Sequence, residues 1–254
     1  MRVYTIAFPK GGTTKTTTAA ELVSILAAGG SRVLAVDLDE QGTLTSWLGF
    51  TEDTEVEGTA SDVLTGQMGV LEAAAACPAV PGAQLLVGTH DLETVTVTTV
   101  PDLVTSLRDL LPTVADRFDD IVIDAPPALG GLTLAGLAAA DVVIAPVACE
   151  VQALDQIDRY EEVIAARLAS RVRPGQRIHA IIPTRYDGRR RLDREIVEDL
   201  TETYGDRITI TEPIHEAVAV RDSYAAGLPI GRFAPTSRPA QDYAGVLTQI
   251  IEEA

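Results

Sequence analysis

Apolar positions along this chain follow two alternating rhythms, one of strand length and one of helical period. Residues 2–8 (Arg-Val-Tyr-Thr-Ile-Ala-Phe) form a short apolar run that reads as a buried strand. Residues 9–14 interrupt it. From Lys15 to Ala28 the spacing turns helical through Ala19, Leu22, Val23, Leu26 and Ala27, with Gly29 and Gly30 as a stop signal. A second apolar run, Arg32 to Leu38, carries Asp37 and Asp39 at its carboxyl end. Strand, glycine-containing loop, helix and strand make a βαβ unit, which predicts parallel strands.

The alternation continues to the C-terminus. Further strands are predicted at Gln84–Val87, Asp120–Asp124, Val142–Val147, Arg177–Pro183 and Arg207–Ile210. Helices are predicted at Val100–Phe118, Leu132–Ala139, Val151–Leu168, Leu192–Tyr204, around Ile214–Ala226, and at Pro239–Glu253. Such a sequence predicts an α/β fold, a doubly wound and mainly parallel sheet with helices on both faces. No internal repeat or Pro/Ser-rich linker divides it, so residues 1–254 read as a single domain. Residues 51–82 are the least periodic and read as a variable loop with a short helix at Ser61–Leu64.

Composition sharpens this picture. At 254 residues and 46% apolar, the chain can bury a large core, and with only 4% aromatics that core must be Ala, Val, Leu and Ile. No apolar stretch is long enough to span a bilayer, and the N-terminus runs directly into a strand, so a soluble cytoplasmic protein without a targeting peptide is expected. Cys77 and Cys149 lie far apart without metal-ligand spacing and read as structural thiols. The net charge of −17 argues against a surface that is basic all round, yet nine of the 18 arginines fall between Arg167 and Arg194. That clustering allows a local positive face. The chain has just two lysines, Lys10 and Lys15, both in the loop after the first strand. Such use points to a site that needs a slim ammonium rather than a planar guanidinium.

The chemistry of that loop, Lys10-Gly11-Gly12-Thr13-Thr14-Lys15-Thr16-Thr17, suits a triphosphate. Gly11 and Gly12 let the backbone approach phosphate closely, Lys15 can reach the β and γ oxygens, Thr16 can ligate Mg²⁺, and Thr17 can bond the α-phosphate at a helix start. The ordinary pattern G-x-x-x-x-G-K-S/T fails, because Pro9 and Thr14 occupy its glycine positions. If position 14 needs a positive φ, its β-branched residue costs about 1–2 kcal/mol. The expectation is a strained loop that keeps the phosphate-cradling path and still binds ATP.

The variant K-G-G-x-x-K-S/T does fit, and here the sequence resembles the ParA/Soj group of the ParA/MinD superfamily, ATPases with a deviant Walker A loop. Residues 36–43 (Val-Asp-Leu-Asp-Glu-Gln-Gly-Thr) are similar to that family's D-x-D-P-Q-G-N segment, with Glu40 and Thr43 as departures. Residues 120–129 resemble its Walker B strand and Pro-Pro turn, and residues 145–150 and 186–192 match two later segments. The resemblance implies a P-loop NTPase-like fold that binds ATP and Mg²⁺ and hydrolyses ATP slowly. It implies that Lys10 reaches the nucleotide of a second subunit, and that Gly11 lies where two chains meet in an ATP-sandwich homodimer. Asp39 would orient attacking water, Asp37 would support the site, and Asp124 would hold Mg²⁺ through water. Arg185 and Pro213 are candidates for the adenine pocket by position.

Arg185, Arg189, Arg190, Arg191 and Arg194 flank a loop and the first turn of a helix, where cations oppose the helix dipole. One reading is a solvated face partnered by Glu195, Glu198 and Asp199; the other is a DNA patch. The resemblance favours non-specific DNA binding through arginines on the dimer, one of which matches Arg189; Arg185, Arg190 and Arg191 are candidates from the same cluster, with Arg221 as a downstream substitute. It also implies a ParB-like centromere-binding partner, nucleoid association and a role in plasmid or chromosome segregation. The chain begins at its first strand, so sequence-specific operator binding through an N-terminal helix-turn-helix is not expected. Three rivals remain open. A MinD-like membrane ATPase would need a basic amphipathic C-terminal helix, whereas residues 247–254 are acidic, and the resemblance also admits ATPases that position other cargo. A cluster-bearing reductase would need bridging cysteines, and Cys149 stands alone after its strand. A nucleotide-dependent clamp with little turnover would follow if Thr14 abolished hydrolysis.

Overall fold

The computed structural model describes residues 1–254. The chain opens with β1 (Arg2–Ile6), α1 (Lys15–Ala28), β2 (Val33–Asp37), α2 (Thr43–Trp47), α3 (Ala60–Leu64), α4 (Val70–Ala73), β3 (Ala75–Ala76) and β4 (Ala83–Leu86). It continues through α5 (Leu103–Leu110), β5 (Asp120–Asp124), α6 (Gly131–Ala139), β6 (Val142–Ala148), α7 (Ala153–Ile164) and β7 (Ala180–Thr184). It closes with α8 (Arg191–Tyr204), β8 (Thr209–Ile210), α9 (Val218–Ala225), α10 (Ile230–Phe233) and α11 (Arg238–Glu253). Eight strands form one sheet in the order β3-β4-β2-β5-β1-β6-β7-β8. Every neighbouring pair is parallel except β3 with β4.

The two-residue strand period divides the core between the faces of this sheet. Tyr4 and Ile6 of β1, Val33 and Ala35 of β2, and Val122 of β5 pack with α1 and α11. Leu34, Val36, Ile121 and Ile123 face the opposite side and pack with α5 and α6. Val143, Ala145 and Val147 of β6 pack on that same side with α7 and α8. Leu34 and Ile123 are both fully buried, and truncating either to alanine would cost about 2–5 kcal/mol.

Connectivity positions the site. β1 and β2 are parallel as expected but not adjacent, because β5 lies between them. Ile6 and Asp37 both pair with Asp124 across the sheet. The carboxyl ends of β1, β5 and β2 therefore stand side by side, where an open α/β sheet forms its ligand crevice.

The elements differ from expectation at their ends. The helix predicted from Val100 to Phe118 is α-helical only over Leu103–Leu110 and tightens to a 3₁₀ turn at Leu111–Val114, where Pro112 supplies no N–H. The one predicted at Val151–Leu168 passes into a π turn at Ala165–Ala169. β7 begins at Ala180 rather than Arg177. α9 begins only at Val218, because the Ile214 N–H donates to Pro183 O (2.8 Å) and the Tyr186 N–H to Ile214 O (3.1 Å), which holds 214–217 extended. Residues 51–82 are more ordered than a variable loop. They contain the expected short helix, α3, started by a capping box between Thr59 and Asp62, together with α4 and the antiparallel β3. Both cysteines are free thiols. No helix is long and apolar enough to cross a membrane.

Candidate functional site

Between β1 and α1 the backbone turns back on itself. Gly12 has φ +75° and Thr14 φ +67°, so the strain expected of a β-branched residue at position 14 is present. Lys15 is 7% exposed, and its ammonium donates to Lys10 O at 2.8 Å, closing the loop. Burial lowers the Lys15 pKa, and the carboxylates of Asp124 and Asp39 oppose that shift. α1 starts with no side-chain cap and no acidic residue in its first turn. Its first N–H groups and the buried ammonium thus form an anion cradle. A Cβ added at Gly11 or Gly12 would meet nothing within 4 Å, so the loop's outer side is open.

Beside this cradle, the Asp124 carboxylate is 1% exposed, and neither oxygen has a hydrogen-bond partner. Burial pushes its pKa well above the carboxylate range and Asp37 adds to the shift, while the neighbouring Thr16 hydroxyl and then Lys15 oppose it. Native proteins rarely leave both oxygens of a buried carboxylate unsatisfied. A hydrated divalent cation would satisfy them, so the residues present fit Mg²⁺ held by Thr16 and, through water, by Asp124.

Asp37 and Asp39, two residues apart, do different things. Asp37 is fully buried and spends its oxygens on its own loop, accepting from Asp39 N (3.1 Å), Thr45 N (2.9 Å) and Thr45 Oγ1 (2.8 Å). Burial raises its pKa to about 6. Gly88 is needed there, because a Cβ would lie 2.7 Å from Asp37 Cγ. Asp37 is therefore a brace for the 39–45 segment rather than a nucleotide contact. Asp39 lines the cleft with the phosphate loop. One of its oxygens accepts from Gln41 N at 3.1 Å, and the other is free of protein donors.

The cleft has two compartments. One, of about 380 Å³, is lined by residues 11–17, Asp39, Thr43 and Trp47 together with Arg221 and Tyr224. The other, of about 800 Å³, runs from Gly12 and Thr14 past Arg185 to Ile214–Val218 and Tyr243. Arg185, one of the two adenine-pocket candidates, lines this larger compartment, with φ +56°. It pairs with Glu216 (3.4 Å) and Glu150 (3.8 Å). Pro213 does not line this cleft. It faces a separate groove with Tyr186, Glu212 and Arg238, because the pairing of Ile214 to β7 turns the following residues, not Pro213, toward the loop. Arg221 also departs from expectation, lining both compartments of the cleft instead of joining the arginine patch.

The patch itself is well exposed but paired. Arg189 (91% exposed) grips Asp187 through two bonds of 2.9 and 2.8 Å. Arg190 lies 3.7 Å from Asp187 and 3.9 Å from Asp193, and Arg191 is 2.7 Å from Glu195. Of the expected partners only Glu195 is used. The others come from the loop and from the first turn of α8.

Two contacts were not foreseen. The Lys10 ammonium is paired with Glu150, in the segment after β6. Tyr243 of α11 touches the hydroxyls of both Thr14 and Thr18. Glu150 closes a recognisable segment and could have been singled out. Tyr243 carries no local signal, since it reads as one more core position of an amphipathic helix.

Comparison with known proteins accords with this geometry. A family model described as an AAA domain matches residues 1–172. The chromosome-partitioning ATPase Soj of Treponema pallidum is 34% identical over 95% of this chain and 94% of its own length. The chromosome-partitioning protein ParA of Caulobacter vibrioides is 32% identical over 99% of this chain and 94% of its own. Cobyrinic acid a,c-diamide synthase of Mycobacterium smegmatis, solved with a bound ATP analogue and magnesium, superposes with a TM-score of 0.85 at 30% identity, covering all of this chain and 95% of that one. The cell division ATPase MinD of Pyrococcus furiosus gives a TM-score of 0.81 at 26% identity, over 100% of this chain and 99% of its own.

Proposed function

Since the chain belongs to the ParA/Soj family of the ParA/MinD superfamily, we propose that it is an ATPase of DNA partition that dimerises around two Mg-ATP molecules. In that state it binds DNA without sequence preference, and slow hydrolysis stimulated by a ParB-like partner releases it. The observation that carries the nucleotide reading is the orphaned carboxylate of Asp124 beside the buried Lys15 ammonium at an uncapped helix start. Anion cradle and cation site are then assembled from the ends of two adjacent strands.

Phosphoryl transfer needs positioning and charge neutralisation more than covalent help from the protein. Mg²⁺, when bound at Thr16 and Asp124, would supply Lewis-acid neutralisation of phosphate charge. Lys15 and the α1 N–H groups bind the phosphates. Asp39, with one oxygen fixed by Gln41 N and the other open to the cleft, can accept from a water and orient it. Lys10 is held on Glu150 rather than in the cradle of its own chain, which leaves it able to cross to a second subunit. Arg189, Arg190 and Arg191 offer an exposed, multiply charged edge for phosphate backbone.

Size-exclusion chromatography with ATP and Mg²⁺ tests the cycle. Asp39→Ala should accumulate as a dimer, because it binds ATP without hydrolysing it, whereas Lys15→Ala should stay monomeric. Dimerisation of both variants, or of neither, would remove the basis for an ATP-gated dimer.

A further inference from the structure

We propose that Arg221 is a phosphate-contacting residue of the nucleotide site on its own chain. The inference rests on the reading of the cleft as an ATP site and adds a residue to it. The phosphate compartment and the larger compartment share four lining residues, Gly12, Thr14, Val220 and Arg221. Arg221 therefore stands at the seam, opposite the bend of the phosphate loop.

Its charge is the uncommitted one. Lys15 is bonded to Lys10 O, Lys10 to Glu150, and Arg185 to Glu150 and Glu216. The Arg221 side chain forms no ion pair and no hydrogen bond. In a chain of net charge −17, a free guanidinium facing an anion cradle is poised for a phosphate, and its planar fork matches two phosphate oxygens at once.

The helix that carries it is held in place over the cleft. Ser223 of α9 is fully buried, with its hydroxyl on Val220 O at 2.8 Å. Tyr224 packs edge-on against Trp47 with ring centres 5.1 Å apart, and Trp47 Nε1 donates to Leu228 O at 3.0 Å. Arg221 is thus presented from an anchored helix, not from a free loop.

The test is calorimetric titration of a non-hydrolysable ATP analogue with Mg²⁺ into the wild type, Arg221→Ala, Arg221→Lys and Lys15→Ala, without DNA. Losing a charge-assisted contact should weaken Arg221→Ala by about tenfold or more. Arg221→Lys, which keeps the charge but not the fork, should fall between it and the wild type. Thermal melting checks that both variants are folded. Arg221→Ala within twofold of the wild type, alongside lost binding in Lys15→Ala, would overturn the role of Arg221 and leave the ATP site standing. Undiminished binding in Lys15→Ala would instead overturn the ATP reading of the loop.

Discussion

The phenolic hydroxyl of Tyr243, near the C-terminus, lies 3.4 Å from the hydroxyl of Thr14 and 3.3 Å from that of Thr18. The Thr18 proton is spent on Thr14 O at 2.9 Å, so the phenol is a donor within this group. Burial pushes the Tyr243 pKa up to about 12, which keeps that proton in place at neutral pH. α11 thus braces the one loop position where a threonine stands in a left-handed conformation in place of the glycine of the ordinary phosphate-loop pattern. Thr14→Gly should relieve about 1 kcal/mol of strain and bind ATP at least as tightly as the wild type. Tyr243→Phe should weaken ATP several-fold in the wild-type background but little beside Thr14→Gly. A double-mutant cycle by calorimetry should return a coupling of about 0.5–1.5 kcal/mol. Purely additive effects would dissolve the link.

Gly11 is exposed, and a Cβ there touches nothing in this chain. Gly11→Val should therefore leave the melting temperature of the monomer and its ATP affinity nearly unchanged, while preventing the ATP-dependent dimer. Light scattering with ATP and Mg²⁺ reads this directly. A normal dimer would move the interface away from the loop.

Asp124 costs the fold stability, because its carboxylate is buried without partners. Asp124→Asn should raise the melting temperature of the nucleotide-free protein, by roughly 2–4 °C for each kcal/mol relieved. The same change should abolish the Mg²⁺ dependence of ATP binding. A variant that melts lower and still responds to Mg²⁺ would count against a cation role.

Glu21, on α1, is buried and accepts from Gly231 N, and burial raises its pKa to about 7. The folded state then holds a proton that the unfolded chain releases near its ordinary value of 4.5. Stability from this group is fully present below that value and is lost as pH rises to about 7. Glu21→Gln should consequently gain on the wild type across that window, approaching about 3 kcal/mol by pH 8. Urea titrations at pH 5 and pH 8 measure the difference. A constant difference would show that the carboxylate does not titrate there.

Arg189 and Arg190 share Asp187, whose carboxyl they hold well below its ordinary pKa, Arg189 more than Arg190. The proposed DNA binding would require their release from it onto phosphate. Arg189→Ala/Arg190→Ala should weaken ATP-dependent gel shifts on every sequence and lower the salt slope by up to about 2. An unaltered slope would assign the patch to solvation alone.

Much of this was legible along the chain. The alternation of strand and helix, the lysine-bearing loop and the acidic ends of β2 and β5 all follow from patterns a few residues wide. Local spacing encodes local geometry, so these survive folding, with slips at element ends and in short elements such as α2, α4, β3 and α10 that carry too few residues to show a period. The roles of Asp37 and Asp39 were less legible, because two carboxylates two residues apart at a strand end read alike until Thr45 and Gly88 close around one of them.

The sequence by itself determined that residues 10–17 bring glycine, ammonium and hydroxyl groups together in a bend at a helix start, since that pattern is local. Tertiary structure alone decided what surrounds the cradle. The insertion of β5 between β1 and β2 brought Asp124 to Lys15, and the docking of α9 and α11 placed Arg221 and Tyr243 over the loop. It also turned Pro213 outward. Such contacts join residues more than a hundred positions apart through the packing of two helical layers on one sheet, and no periodicity within either segment records which face the other will meet.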